Sequence, residues 1–272
     1  MSPIGSTVAQ FTGLPADWIV SMAPQQSEEW FAARRGVITG SMAKVARETK
    51  KDGSCTSAAL TYAKDTARAR AGAGDGEPVF VNAAMRFGTE QEPIARMAYE
   101  LQTGSMVDAA GFISAPDRKF GVSIDGLVLD VPGERGGIEI KTIVSSNVLF
   151  DTVVDGDISA YMDQVSMNTW AWHLDWIDLC LWAPDLPTDA ARLTVIRIHR
   201  NQAHIDALLA DLVEFDRLVD AYANKLRRYM SNNAKGITAP PPWDDASEPT
   251  PTPATKPAKT TTAPADFADA SF

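Results

Sequence analysis

The chain has 272 residues, 45% of them hydrophobic, which is enough to bury a sizeable core in one folded domain. A formal net charge of −10 argues against a simple module that coats nucleic acid, while leaving room for an enzyme with a locally basic channel and an acidic exterior. Two cysteines, Cys55 and Cys180, argue against a disulfide framework, and His173, His199 and His204 lack metal-ligand spacing, so any metal here is held mainly by oxygen, as Mg²⁺ or Mn²⁺.

Residues 1–24 are punctuated by Pro and Gly and are expected to be irregular. Ser27 is placed to cap a short helix over 27–34, and a Gly-rich turn leads into a second helix at about 41–48. An Ala-rich helix is expected from Thr56 to Arg70, broken by Ala71 to Gly76. A longer helix covers about 83–102, with a kink or restart at Pro93 and Gly104 near its end. Gly111 to Ala115 reads as a strand, and 120–130 with 137–143 as a β-hairpin around Pro132-Gly133 and Gly136-Gly137. Ala160 to Leu174 reads as a helix, and Trp176 to Trp182 and Arg192 to His199 as strands. Asn201 to Met230 is an amphipathic helix, with Ile205, Leu208, Leu212, Phe215 and Val219 at helical spacing.

The folded domain is therefore expected over 25–230, as an α/β or α+β arrangement with a mixed sheet flanked by helices. Residues 231–272 form a Pro-, Thr- and Ala-rich tail expected to be disordered. No secretory leader and no apolar run near ~18 residues is visible, so a cytoplasmic protein without a membrane segment is expected.

The residues that carry chemistry lie in the hairpin. Glu139 and Lys141 are two apart in an extended segment and share one face, with Asp125 on the neighbouring arm. Lone acids in a hairpin are usually solvated, but both of these interrupt apolar runs. Asp125, Glu139 and the carbonyl of Ile140 form an oxygen donor set for a divalent ion, and Glu92 is available for that ion or a second one. Two ions about 4 Å apart suit phosphodiester hydrolysis by in-line attack, with Lys141 orienting water or neutralising charge. Arg34 and Ser41, with Ser123 nearby, can anchor a terminal phosphate through a guanidinium, hydroxyls and a helix start. The alternative for that pair is a surface Arg and an N-cap Ser. Arg35 could substitute for Arg34.

Five segments carry a family resemblance: Trp30-x3-Arg34-x-Gly36-x-Ile38-Thr39-Gly40-Ser41; Phe87-Gly88-Thr89-Glu90-Gln91-Glu92-Pro93-x2-Arg96; Ser123-Ile124-Asp125-Gly126; Glu139-Ile140-Lys141; and Tyr161-Met162-Asp163-Gln164. In this order they resemble the lambda exonuclease and YqaJ-type viral recombinase family, a branch of the PD-(D/E)XK nucleases. The resemblance implies a restriction-endonuclease-like core with Glu92, Asp125, Glu139, Lys141 and Gln164 as catalytic groups. It places Arg34, Ser41 and Ser123 at the 5′-phosphate and Tyr161 near the site. It also implies degradation of the 5′ strand of linear duplex DNA, a ring-shaped homotrimer and a single-strand-annealing partner. Ile124 stands where the family usually has Pro, and Ser166 where a second Gln often follows. Glu90 is the alternative to Glu92 if the helix is rotated. A structure- or sequence-specific endonuclease on the same core and a non-catalytic recombination adaptor are the other readings. Trp170, Trp172, Trp176 and Trp182 are assigned to core packing before base stacking. Arg68 and Arg70 are assigned either to a solvated face or to a DNA channel.

Overall fold

The computed structural model describes residues 14, 17–73 and 83–234. Most of the expected irregular N-terminal segment, part of the Gly-rich break and nearly all of the expected tail lie outside these residues. Strand β1 (Ile19–Ser21) and helix α1 (Glu28–Arg34) open the described chain. The hydroxyl of Ser27 accepts from the Trp30 amide at 3.2 Å, as its position before Glu28 and Glu29 led one to expect. Strand β2 (Ile38–Thr39) runs into a 3₁₀ turn (Gly40–Met42) and α2 (Ala43–Arg47). Helix α3 (Ser57–Arg70) is capped by the Thr56 hydroxyl.

Helix α4 (Ala83–Thr103) passes through Pro93 without a break. A proline removes one amide donor and crowds one carbonyl. The turns around it are held by Ala95 and Tyr99, both fully buried, and tertiary packing overrides the local preference. Gly104 ends the helix in the left-handed region, its amide bonded to the Glu100 carbonyl at 2.9 Å.

Strands β3 (Phe112–Ser114) and β4 (Phe120–Ser123) are followed by β5 (Gly126–Val128) and β6 (Gly136–Thr142). A short helix α5 (Ser146–Val148) continues into a π-helical turn (Leu149–Val154), a segment for which the sequence pattern supplied no assignment. Helix α6 (Met162–Ala171), strand β7 (Trp176–Trp182), the short α7 (Asp189–Arg192), strand β8 (Leu193–His199) and helix α8 (Gln202–Ala234) complete the described chain. Helix α8 extends to Ala234, past the expected boundary at 230.

The strands form two four-stranded mixed sheets, in the orders β1-β3-β4-β2 and β5-β6-β7-β8. The expected hairpin is thereby revised. Its first arm is cut at Ile124-Asp125: β4 pairs with β3, whereas β5 pairs antiparallel with β6. The apolar alternation gave no sign of the break because Ile124 is itself buried, at 1% exposure. Strand β7 is buried along its whole length, parallel to β6 on one side and antiparallel to β8 on the other. Its one acid, Asp178, is satisfied by Arg197 at 2.8 and 2.9 Å and by the Tyr99 hydroxyl at 2.8 Å.

The main core gathers the apolar faces of α2, α3, α6 and α8 against both sheets, with Ile38, Val122, Trp172 and Leu212 inside it. A second cluster seats α4 on the sheet through Tyr99, Trp176 and Trp182. The tryptophans are therefore packing residues: Trp172 and Trp176 are fully buried and Trp170 meets Trp18 edge-on. Arg70 lies on neither a solvated face nor a channel wall. It is bonded to Asp216 and Asp220 of α8, which also hold Lys119. No helix among the described residues is long and apolar enough to cross a membrane.

Candidate active site

Asp125 occupies the point where the chain leaves one sheet and joins the other. Its amide still donates to the Ile138 carbonyl at 3.2 Å, but its side chain takes over the next rung: Oδ2 accepts from the Ile140 amide at 2.6 Å. A strand residue sends its N–H and C=O toward the same neighbour. The Ile140 carbonyl is therefore aimed toward the Asp125 side, where no ladder strand continues. Gly126 leaves room for Val107, whose Cγ1 would lie 2.1 Å from a Cβ there.

Glu139, at 3% exposure, is the most buried acid of the group and is held by three donors. Lys141 Nζ reaches Oε1 at 2.8 Å, Gln164 Nε2 reaches the same oxygen at 2.5 Å, and Asn168 Nδ2 reaches Oε2 at 2.8 Å. Gln164 also accepts from Lys141 at 2.9 Å, closing a triangle of Glu139, Lys141 and Gln164. A buried carboxylate is tolerated when donors satisfy it in this way, and Oε2, with one donor, keeps capacity for a further partner. The Tyr161 ring lies 6.0 Å from the Lys141 ammonium. Helix α6 is pinned at its start by Asp163, which pairs with Arg47 of α2 at 2.8 Å and His204 of α8 at 3.0 Å. Burial acts to raise the Asp163 pKa, but those two partners hold it below the ordinary value.

Glu92 faces this cluster and Glu90 is exposed, so the helix presents the expected acid. Arg96, one turn further along α4, donates to Glu92 at 3.1 Å and to the Asp125 carbonyl at 2.6 Å. The sequence motif contained Arg96 but assigned it no task.

The electrostatics follow from this crowding. Asp125 is pushed well above the usual carboxylate range by burial, then by the charges of Glu139 and Glu92. Glu92 is also raised, by burial first, with Arg96 opposing and Glu139 reinforcing. Burial works to lower the Lys141 pKa, but Glu139 and Asp125 outweigh it, so the side chain stays an ammonium. Three acids that repel one another around hard oxygen donors form a site in which a divalent cation relieves the repulsion. Among the described residues no group of three or more His, Cys, Asp or Glu side chains could hold a metal ion by itself. Mg²⁺ ordinarily takes one or two carboxylates and fills its shell with water and substrate phosphate. Asp125, Glu139 and the Ile140 carbonyl fit that pattern, while Glu92 is bonded to Arg96.

The second half of the site contains a half-buried cation. Arg34, in the last turn of α1, stacks its guanidinium on Trp30 at 4.3 Å and lies 5.4 Å from the Phe112 ring. Its Nη1 donates to the Ser123 hydroxyl at 3.1 Å. Burial lowers its pKa, and among the described residues no carboxylate pairs with it. Beside it the Tyr62 hydroxyl accepts the Thr39 amide at 3.0 Å and fixes the entry to the Gly40–Met42 turn. Ser41 is exposed on that turn, its hydroxyl 3.4 Å from that of Thr39. Arg35 is exposed at the end of the helix. The structure thus brings Arg34 and Ser123 together, and Ser123 lies two residues before Asp125.

Residues 29–172 match the model of the YqaJ-like viral recombinase domain, a span that contains every group described above except His204. The chain belongs to the YqaJ-like viral recombinase family. Among solved structures, this YqaJ-like chain is similar to an alkaline exonuclease (LHK-Exo) from Laribacter hongkongensis. The TM-score is 0.64 at 30% identity, over 76% of this chain and 100% of that one. The same relative in complex with dAMP matches at 31% identity. A phage-related exonuclease from Haemophilus somnus 129PT shares the fold, with a TM-score of 0.54 at 16% identity over 71% of this chain and 96% of that one. No curated protein matches.

Proposed function

We propose that this chain is a Mg²⁺-dependent exonuclease of the PD-(D/E)XK type. It would degrade the 5′ strand of linear duplex DNA and leave 3′ single-stranded overhangs for phage-type recombination by strand annealing. One observation carries the reading: an anion-seeking Arg34 is hydrogen-bonded to Ser123, two residues from the carboxylate at the centre of the acidic cluster. A terminal-phosphate anchor beside a hydrolytic site describes an enzyme that works from ends. Similarity to an alkaline exonuclease over the whole of that relative's length supports it.

In this mechanism Asp125, Glu139 and the Ile140 carbonyl would hold the cation. A bound divalent ion supplies an activated water and stabilises the leaving oxygen. Lys141, fixed by Glu139 and Gln164, places its ammonium where charge develops on the phosphate. Arg34, Ser123 and Ser41 grip the 5′-phosphate and set the register of the cut. Two ions are proposed, with Glu92 serving the second when released from Arg96. Duplex ends are the substrate and a single-strand-annealing protein the partner, in the host cytoplasm. A ring trimer would reconcile the acidic exterior with DNA binding, and exposed Ile94, Met97 and Leu101 on α4 offer apolar surface for such contacts.

Incubating the protein with 5′-phosphorylated linear duplex and with covalently closed circular DNA tests the reading. Nucleotide release from the linear form in Mg²⁺, with the circle spared, is expected. Cutting of both at similar rates would favour an endonuclease, and no cutting of either would favour the adaptor.

A further inference from the structure

We propose that Asn168 is a positioning residue that couples the two halves of the site, linking the cation-holding carboxylate Glu139 to the phosphate-anchoring turn at Gly40. The inference rests on the proposed nuclease reading for the meaning of those halves, but its geometry stands on its own. Asn168 lies on α6 one turn beyond Gln164 and is buried, at 1% exposure. Its Nδ2 donates to Glu139 Oε2 at 2.8 Å. A carboxylate only accepts, so the amide nitrogen must face Glu139 and the carbonyl oxygen must face away. That oxygen has no hydrogen-bond partner among the described residues, and it sits against Gly40: a Cβ built on Gly40 would lie 3.1 Å from it and 3.1 Å from Val122 Cγ1.

A buried carbonyl without a donor is unfavourable and persists only where surrounding packing enforces it. Here the amide lies between the two halves, bonded to Glu139 on one side and facing Gly40 on the other. Toward the sheet, Glu139 is also held by Lys141 and Gln164. Toward the helix, Gly40 begins the 3₁₀ turn that carries Ser41, and Tyr62 holds the preceding amide. A methyl at Gly40 would require the Asn168 amide or the Val122 side chain to give way by a few tenths of an ångström. Movement of the turn on capturing a DNA end is therefore transmitted through one rigid amide to the carboxylate that holds the cation. Ser166, at the position where the family often has a second Gln, is buried two positions earlier, and Asn168 reaches the carboxylate from the turn after Gln164.

Mn²⁺ binding measured by calorimetry without DNA tests the coupling in wild type, Gly40→Ala, Asn168→Ala and the double variant. Gly40→Ala alters the anchor turn and touches no cation-holding group. It should nevertheless weaken Mn²⁺ binding by about 3–10-fold, because the added methyl displaces Asn168. Asn168→Ala should weaken it by roughly 10–100-fold. In the Asn168→Ala background, Gly40→Ala should add less than about twofold. Should Asn168→Ala fail to fold by circular dichroism, Asn168→Ser takes its place in the cycle. Additive losses, or wild-type Mn²⁺ affinity in Gly40→Ala, overturn the coupling. Wild-type protein that binds Mn²⁺ but digests no DNA overturns the nuclease reading and leaves the coupling measurable, whereas wild type that takes up no Mn²⁺ overturns both.

Discussion

The two halves of the site are unbalanced in opposite senses. Around Asp125, three carboxylates face one ammonium and one guanidinium, and burial first, with their mutual repulsion adding to it, lifts the pKa of Asp125 and Glu92. Around Arg34 the imbalance is reversed: a half-buried guanidinium rests on two aromatic rings and a hydroxyl, with no carboxylate paired to it among the described residues. A fold gains nothing in stability from either arrangement alone, since unpaired or crowded buried charge is unfavourable. Both imbalances disappear if a cation enters one half and a phosphate the other, and a DNA end brings its phosphate together with its counterions.

The largest expected effect comes from breaking the acidic half. Asp125→Asn and Lys141→Ala should each lower the rate of nucleotide release by about 10²–10³-fold or more, with circular dichroism and duplex binding in EDTA unchanged. Gln164→Ala removes a donor to Glu139 and an acceptor for Lys141, and should lower activity by roughly 10–100-fold, read as a higher Mg²⁺ requirement. Breaking the cationic half should be selective. Arg34→Ala should slow digestion of 5′-phosphorylated ends by about 10–100-fold, the worth of a charged hydrogen bond, and leave 5′-hydroxyl ends nearly unaffected. Equal loss on both ends would mean that Arg34 supports the fold and not the phosphate.

The smallest effect sharpens the comparison through stability. A carboxyl whose folded pKa is raised contributes stability that is present below its unfolded pKa and lost as pH rises through the folded value. Asp125 is such a group, so metal-free protein should lose stability as pH rises above the ordinary carboxylate range toward neutrality. Asp125→Asn removes that loss and should raise Tm at pH 8 in EDTA by about 2–4 °C, the shift that roughly 1 kcal/mol produces in a domain of this size. A thermal melt series across pH checks both the slope and its removal. Mg²⁺ should narrow the gap between the two proteins.

What the sequence revealed follows from how local each signal is. Glu139 and Lys141 share a face because alternate residues in a strand do, so their proximity was legible from spacing alone. Strand β7 and helix α8 were legible from long uninterrupted patterns. The break at Ile124-Asp125 was not, because a strand that changes sheets keeps its apolar alternation while exchanging partners. Nor was the unbroken passage through Pro93, which depends on what buries Ala95 and Tyr99. Asn168 and Arg96 escaped for a third reason. Each is an ordinary polar residue on a helix, and its role arises only once that helix is docked with one face toward the carboxylates. Arg70 is the converse case: a basic residue suited to a DNA channel turned out to tie α3 to α8.

The central claim is that the crowded carboxylates are a cation site that cuts DNA from an end. Nucleotide release from 5′-phosphorylated linear duplex, followed in Mg²⁺ and in EDTA for wild type and Lys141→Ala, tests it most directly. The account predicts release only by the wild type and only with Mg²⁺. Release in EDTA, or Mg²⁺-dependent release by Lys141→Ala at the wild-type rate, would contradict it.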